Sequence, residues 1–239
     1  MGPCRITKKA PRGICGCDVH GIVGRNYLKF TAGGAATHSD HGREICHTLY
    51  ASAADGCYKV KDPEKLIRIA KEWGIETEGK DIYDLAHEVA YEGLMEYGKP
   101  FGTQRFLKRA PESQQKLWEE NELAPRAIDR EVSCSLHMAH MGCSSKPEAL
   151  VKQSIRAGLS DGWGGSMMGT EFSDVLFGTP KPVETEANLG VMVEENVNIV
   201  VHGHDPSLSE MICEVADSPE MVAYAKEMGA KGITISGVC

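Results

Sequence analysis

The sequence is poor in aromatic side chains: Phe, Trp and Tyr make up 6% of its 239 residues. It has no apolar run near the roughly 18–20 residues that cross a bilayer, so no transmembrane helix is predicted. Nor is there an excess of positive charge: 26 Lys and Arg face 34 Asp and Glu, for a formal net charge of −8. Neutralising a phosphate backbone takes clustered Lys and Arg, so this balance argues against a nucleic-acid partner. The start, MGPCRITKKAPRG, lacks the apolar stretch of a secretory leader and predicts a cytoplasmic protein. Nine Cys in 239 residues are too sparse for a small disulfide scaffold. The chain is rich instead in Gly (26), Met (10), Cys (9) and His (9), and 41% of it is hydrophobic, enough for a packed core.

An odd number of cysteines without a leader predicts reduced thiols or metal ligands rather than disulfides. Cys46, Cys57, Cys134, Cys143 and Cys213 lie in helical or apolar contexts and read as small buried hydrophobes. Cys4, Cys15 and Cys17 lie in a Gly/Pro/basic segment that cannot form a core by itself.

The first 17 residues read as a loop, interrupted by Pro and Gly. Apolar residues at helical spacing (Ile22, Val23, Tyr27, Phe30) predict a helix over 19–36, and a second is expected over 39–54. Asp62-Pro63-Glu64 opens a third, to about residue 73, closed by Gly74. Residues 81–97 form an amphipathic helix with Ile82, Leu85, Val89 and Leu94 on one stripe. Short helices are expected near 103–120, 126–141 and 146–160. The character changes near Thr179–Pro182. Residues 196–201 are a β-branched strand. Ser207–Glu210 is a capping box, a further helix spans 219–228, and 232–238 is a second strand. The fold class expected is α plus α/β. An all-helical domain (1–180) precedes the start of a Rossmann-like parallel-sheet domain (181–239). Two strands are too few for a covered parallel sheet, which predicts a piece of a larger protein.

Four constellations carry chemistry. Cys4, Cys15 and Cys17 fall in a Gly-rich loop of the kind that holds iron–sulfur cubanes, although a cubane needs four thiolates; incidental loop cysteines are the alternative. His38, His41, Glu44 and His47 recur every third residue along a helix: a proton relay, or a polar face. His202-Gly203-His204 ends the first strand and Cys239 the second, placing imidazole and thiolate on the rim where open α/β sheets bind ligands. Asp161 opens DGWGGS, whose glycines permit close approach to a cofactor; Asp161 reads as a base, an anchor or a turn cap. His137 and His140 stand three residues apart on a helix and read as core or surface more readily than as ligands.

The strings GPCRI, GICG, AATHSDHGR, PRAIDREV, LHMAHMG, DGWGGSMMGT, LFGTPKP, EANLGV, VNIVVHGHDPSLSEMI and GAKGI span essentially the whole chain. Together they resemble the catalytic subunit of nickel-dependent anaerobic carbon monoxide dehydrogenases. The resemblance implies reversible oxidation of CO with water to CO2, two protons and two electrons at a Ni-Fe-S cluster. Electrons would leave through [4Fe-4S] clusters to a ferredoxin-like acceptor, from a homodimeric parent. It implies that Cys4 and Cys15 ligate the electron-relay cubane. His38 and Asp161 would serve at the active site, and His41 and His47 would carry protons outward. His204, or alternatively His202, would ligate iron, and Cys239 would begin a cluster-binding Cys pair. Cys17 and Glu44 depart from the family pattern. The implied lysine and remaining thiolates would lie beyond residue 239, so the fragment alone is expected to be inactive. Competing readings are a hybrid-cluster, hydroxylamine reductase-like enzyme, a non-enzymatic iron–sulfur electron-transfer module, and a metal-free helical regulatory module.

Overall fold

The computed structural model describes residues 6–181, 192–203 and 206–238. Cys4, His204 and Cys239 lie outside them. Helices α1 (Val19–Asp55), α2 (Pro63–Glu72) and α3 (Ile82–Glu96) come first. A 3-10 turn (Arg105–Arg109), α4 (Glu112–Glu120), α5 (Ile128–Ala139) and α6 (Pro147–Ser160) follow. A π-turn (Asp161–Ser166) then runs directly into α7 (Met167–Phe177). β1 (Val197–Val201), α8 (Pro206–Ala216), α9 (Pro219–Glu227) and β2 (Ile233–Val238) complete the order. Among the described residues no helix is long and apolar enough to cross a membrane.

The helix starts follow local chemistry. Asp18, Asp62, Asp81 and Ser218 accept hydrogen bonds from the first-turn amides of α1, α2, α3 and α9. Pro111 separates the 3-10 turn from α4, since it fits a first turn but cannot continue an earlier one.

The two helices expected over 19–36 and 39–54 are one, 37 residues long. Ser39, expected at a helix start, sits mid-helix, and its hydroxyl donates to Asp129 Oδ1 at 2.9 Å. Gly33 and Gly34 do not break α1 because packing against α3, α5, α6, α7 and the π-turn holds it. The apolar residues noted over 19–36 do not form its buried face. Val23 is 62% and Phe30 80% exposed, whereas Gly21, Gly24, Leu28, Ala32 and Ala35 face inward. Small residues are on the inside because neighbours come close: a Cβ on Gly24 would stand 3.2 Å from Leu150 Cδ1.

The main core gathers Leu49, Leu66, Ile69, Val89, Phe106 and Phe172 from α1, α2, α3, the 3-10 turn and α7. Each such side chain contributes about 1.5–3 kcal/mol on burial. Leu28, Ala139 and Leu150 form a smaller cluster between α1, α5 and α6.

β1 and β2 pair in parallel from Val197↔Ile233 to Val201↔Val238, with an irregularity after Ile199. The capping box expected at Ser207–Glu210 is not formed, since α8 already begins at Pro206. The Ser207 hydroxyl instead donates to Asp174 Oδ1 of α7 at 2.6 Å. Lys65 of α2 donates to the other oxygen of Asp174. This buried trio ties α8 to the helical part. Of the cysteines expected to be buried, only Cys46 is; Cys57 and Cys143 are exposed, and Cys134 and Cys213 are half-buried.

Candidate functional site

His38 lies midway along α1, and Asp161 is the first residue after α6. Segments 123 residues apart in sequence meet there: His38 Nδ1 and Asp161 Oδ1 are 2.6 Å apart. Ser166, at the end of the π-turn, joins them. Its Oγ is 3.0 Å from Asp161 Oδ1 and 3.2 Å from His38 Nδ1. An ionised carboxylate only accepts, so Nδ1 carries the hydrogen it shares with Asp161. Nε2 is then the ring nitrogen not engaged with Asp161. The pair is partly open to solvent, with side-chain exposures of 33% for His38 and 24% for Asp161.

The glycines of DGWGGS bring these groups together. A Cβ on Gly165 would lie 2.7 Å from the carbonyl carbon of His38, so α1 and the π-turn touch backbone to backbone. Across the same seam a Cβ on Gly42 would lie 2.6 Å from the Gly165 oxygen. Asp161 spends one carboxylate oxygen on both His38 and Ser166. Ser166 was not singled out from the sequence; its place one i→i+5 step from Asp161 becomes visible only with the π-turn.

The other histidines are arranged less closely. A step of three residues turns an α-helix by about 60° short of a full circle. His38, His41, Glu44 and His47 therefore spiral around α1, and His47 points away from His38. His41 is half-buried beside Gly169, whose added Cβ would lie 3.7 Å from His41 Nδ1, and His47 is exposed. The intervening positions are structural. Arg43 pairs with Asp129 at 2.8 Å and stacks on the Tyr97 ring, whose centroid is 4.6 Å away. Burial pushes the Cys46 thiol up to about 12 and the Tyr97 hydroxyl upward as well, which leaves both protonated.

The cysteine loop has two sides. Cys15 is exposed, and Arg25 donates to its sulfur at 3.4 Å. The Cys17 amide and then Arg25 hold the Cys15 thiol below its ordinary range. Arg25 also donates to the Ser144 and Gly142 carbonyls at 2.8 and 3.0 Å, anchoring the loop to the α5–α6 connection. Cys17 points inward, fully buried, and burial raises its pKa. An exposed Cys15 beside Arg25 on a Gly-rich loop fits a cubane ligand, whereas Cys17, turned into the interior, does not.

On the sheet side, His202 is exposed immediately after β1. β1 and β2 end in register, at Val201 and Val238, so His202 lies at the carboxyl rim. An imidazole there fits a metal ligand, while its partners His204 and Cys239 lie outside the described residues. Among the described residues no group of three His, Cys, Asp or Glu side chains could hold a metal by itself.

The whole chain, residues 1–239, matches the profile of the Prismane/CO dehydrogenase family. It is 46% identical over 244 residues to carbon monoxide dehydrogenase 1 of Methanosarcina acetivorans, covering 100% of this chain and 39% of the relative. Its identity to carbon monoxide dehydrogenase 1 of Methanosarcina mazei is 44%, with the same coverage. Among solved structures, a nickel-free carbon monoxide dehydrogenase from Thermococcus sp. AM4 superposes with a TM-score of 0.89 at 48% identity, over 100% of this chain and 39% of that one. An acetyl-CoA synthase/carbon monoxide dehydrogenase structure with NiZn[Fe4S4] and NiNi[Fe4S4] clusters superposes with a TM-score of 0.86 at 40% identity, over 100% of this chain and 36% of that one. The chain therefore spans about two fifths of the length of the relatives it matches.

Proposed function

Because the chain belongs to the Prismane/CO dehydrogenase family, we propose that it is the proton-handling and partial cluster-binding portion of a carbon monoxide dehydrogenase. The reaction is CO + H2O → CO2 + 2 H+ + 2 e−. When bound, the Ni-Fe-S cluster supplies the site for CO and water and accepts both electrons. His202 or His204, with Cys239, would help hold it at the end of the Rossmann-like sheet that β1 and β2 begin. Cys4 and Cys15 would hold part of a [4Fe-4S] relay. That relay would feed a ferredoxin-like acceptor from a homodimeric, cytoplasmic parent.

The observation that carries this reading is the 2.6 Å contact between His38 and Asp161. His38 Nε2 takes up the protons released from water, and Asp161 on Nδ1 keeps the ring oriented and stabilises its charge. Ser166 holds the carboxylate oxygen in place. His41, one turn on, and His47, at the exposed surface, pass protons out along the spiral of α1.

The test is His38→Ala and Asp161→Asn in the complete enzyme, with metal content checked. General acid–base groups contribute about 10²–10⁴-fold. A loss of about a hundredfold in CO oxidation with nickel and iron retained is expected. Unchanged turnover in both variants would sink the assignment. Purified 1–239 alone is expected to turn over no CO.

A further inference from the structure

Gln104 lies just before the 3-10 turn and is 3% exposed. Its Nε2 donates to the Ser160 carbonyl at 3.1 Å. Ser160 ends α6 at the point where i→i+4 bonding yields to i→i+5, one residue before Asp161. The amide reaches that carbonyl across Gly164, where a Cβ would stand 2.2 Å from Nε2 and 2.8 Å from Cδ. Two of the three glycines of the π-turn thus have separate tasks. Gly165 admits the backbone of α1, and Gly164 admits Gln104.

Gln104 also lines a cavity of ≈ 10 Å3, together with Trp73 and Arg105. Trp73 Nε1, Arg105 Nη1 and Gln104 Oε1 are buried without a hydrogen-bond partner among the described residues. The Ser160 carbonyl selects the amide orientation, since it takes an N–H. A flipped Gln104 would turn its oxygen toward the Ser160 oxygen.

We infer that Gln104 is a positioning residue for the His38–Asp161 pair, acting through the Ser160 carbonyl. The inference deepens the proton-handling role proposed above and rests on it. Without the Gln104 bond the Ser160 carbonyl, one residue before Asp161, loses its side-chain donor, and Asp161 loses part of what sets its approach to His38.

Gln104→Met keeps the volume and removes the amide; Gly164→Ala keeps the amide and displaces it. Each is made in the complete, metal-loaded enzyme. Backbone amide exchange, read by mass spectrometry, is expected to rise about tenfold over residues 160–167 and to stay unchanged in α2 and α3. The kcat for CO oxidation should fall about fivefold at unchanged KM, with a larger solvent deuterium isotope effect as proton transfer becomes slower. Should Gly164→Ala not fold, Gln104→Met decides alone. Unchanged exchange at 160–167, or local loosening with wild-type kcat and isotope effect, overturns the inference. So does a general loosening of every helix. His38→Ala with full turnover would instead bring down the proton-handling reading, and the exchange pattern would still decide whether Gln104 holds the turn.

Discussion

Gly33-Gly34 and Gly164-Gly165 are the same dipeptide within helical structure, and the molecule treats them in opposite ways. The first pair lies on the exposed side of α1, and a Cβ on either residue would meet nothing within 4 Å among the described residues. The second pair is buried, and a Cβ on either would run into Gln104 or the backbone of His38. Only the second pair is required by its surroundings, and those surroundings carry the candidate site. The lesson extends to the adjacent thiols Cys15 and Cys17, and to buried as against exposed glutamates.

Gly165→Ala tests the comparison most severely. The obstructing atoms are main-chain atoms of His38, which cannot swing aside as a side chain can. Overpacking of this kind costs about 3 kcal/mol or more. Urea unfolding should show that loss, and with it the loss of the His38–Asp161 contact.

Glu131→Ala comes next. Glu131 is fully buried, accepting from Arg126 Nε at 2.8 Å and Gln153 Nε2 at 2.9 Å. Its removal leaves Arg126 without its carboxylate and takes from Gln153 Nε2 the shortest of its hydrogen bonds, at about 2 kcal/mol. The same change at exposed Glu120, which pairs with Lys116 at 3.8 Å, should stay within about 0.5 kcal/mol. Burial pushes the Glu131 carboxyl up, but Arg126 and Gln153 outweigh it and hold the group below its usual range. With the folded pKa depressed, its stabilisation is full above the unfolded value of about 4.3 and is lost as pH falls through the folded one. Glu131→Gln should flatten that part of the acid-unfolding curve.

Gly33→Ala should do the reverse of Gly165→Ala. An exposed helical glycine costs about 0.5–1 kcal/mol relative to alanine, so this variant should unfold at higher urea. A destabilised variant would break the comparison, since it would mean that something packs on that face.

The smallest effect concerns the thiols. In metal-free protein, iodoacetamide should label Cys15 before Cys17, and Cys15 labelling should begin at the lower pH, because only its thiol is held down. Arg25→Ala should slow Cys15 labelling, as counted by mass spectrometry of the modified peptides.

Much of the helical architecture was legible in the residues. Asp62-Pro63 and Asp81 start helices where expected, and the stripe through Leu85 and Val89 faces the core. The parallel strand pair followed from β-branched runs flanking helices. The continuity of α1 was not legible, because Gly33-Gly34 and Ser39 look like a break and a new start. Contacts from α3, α5, α6, α7 and the π-turn carry the helix through. Its apolar outer positions misled for a related reason: hydrophobicity marks the buried face only when the neighbours leave room for large side chains. At the site, His38 and Asp161 stood out by residue type. Ser166 and Gln104 did not, since serine and glutamine carry no signal until a π-turn and a glycine bring them within reach.

What the sequence determined by itself was chemistry and local punctuation. It held which side chains can titrate or bind metal, where helices are capped and where strands begin, because these depend on residue type within a few positions. Tertiary structure alone decided which of those groups meet. His38 finds Asp161 across 123 residues only because two backbones can close to contact at Gly165. Contact at that range depends on packing volume between distant segments, a quantity that no short stretch of chain encodes.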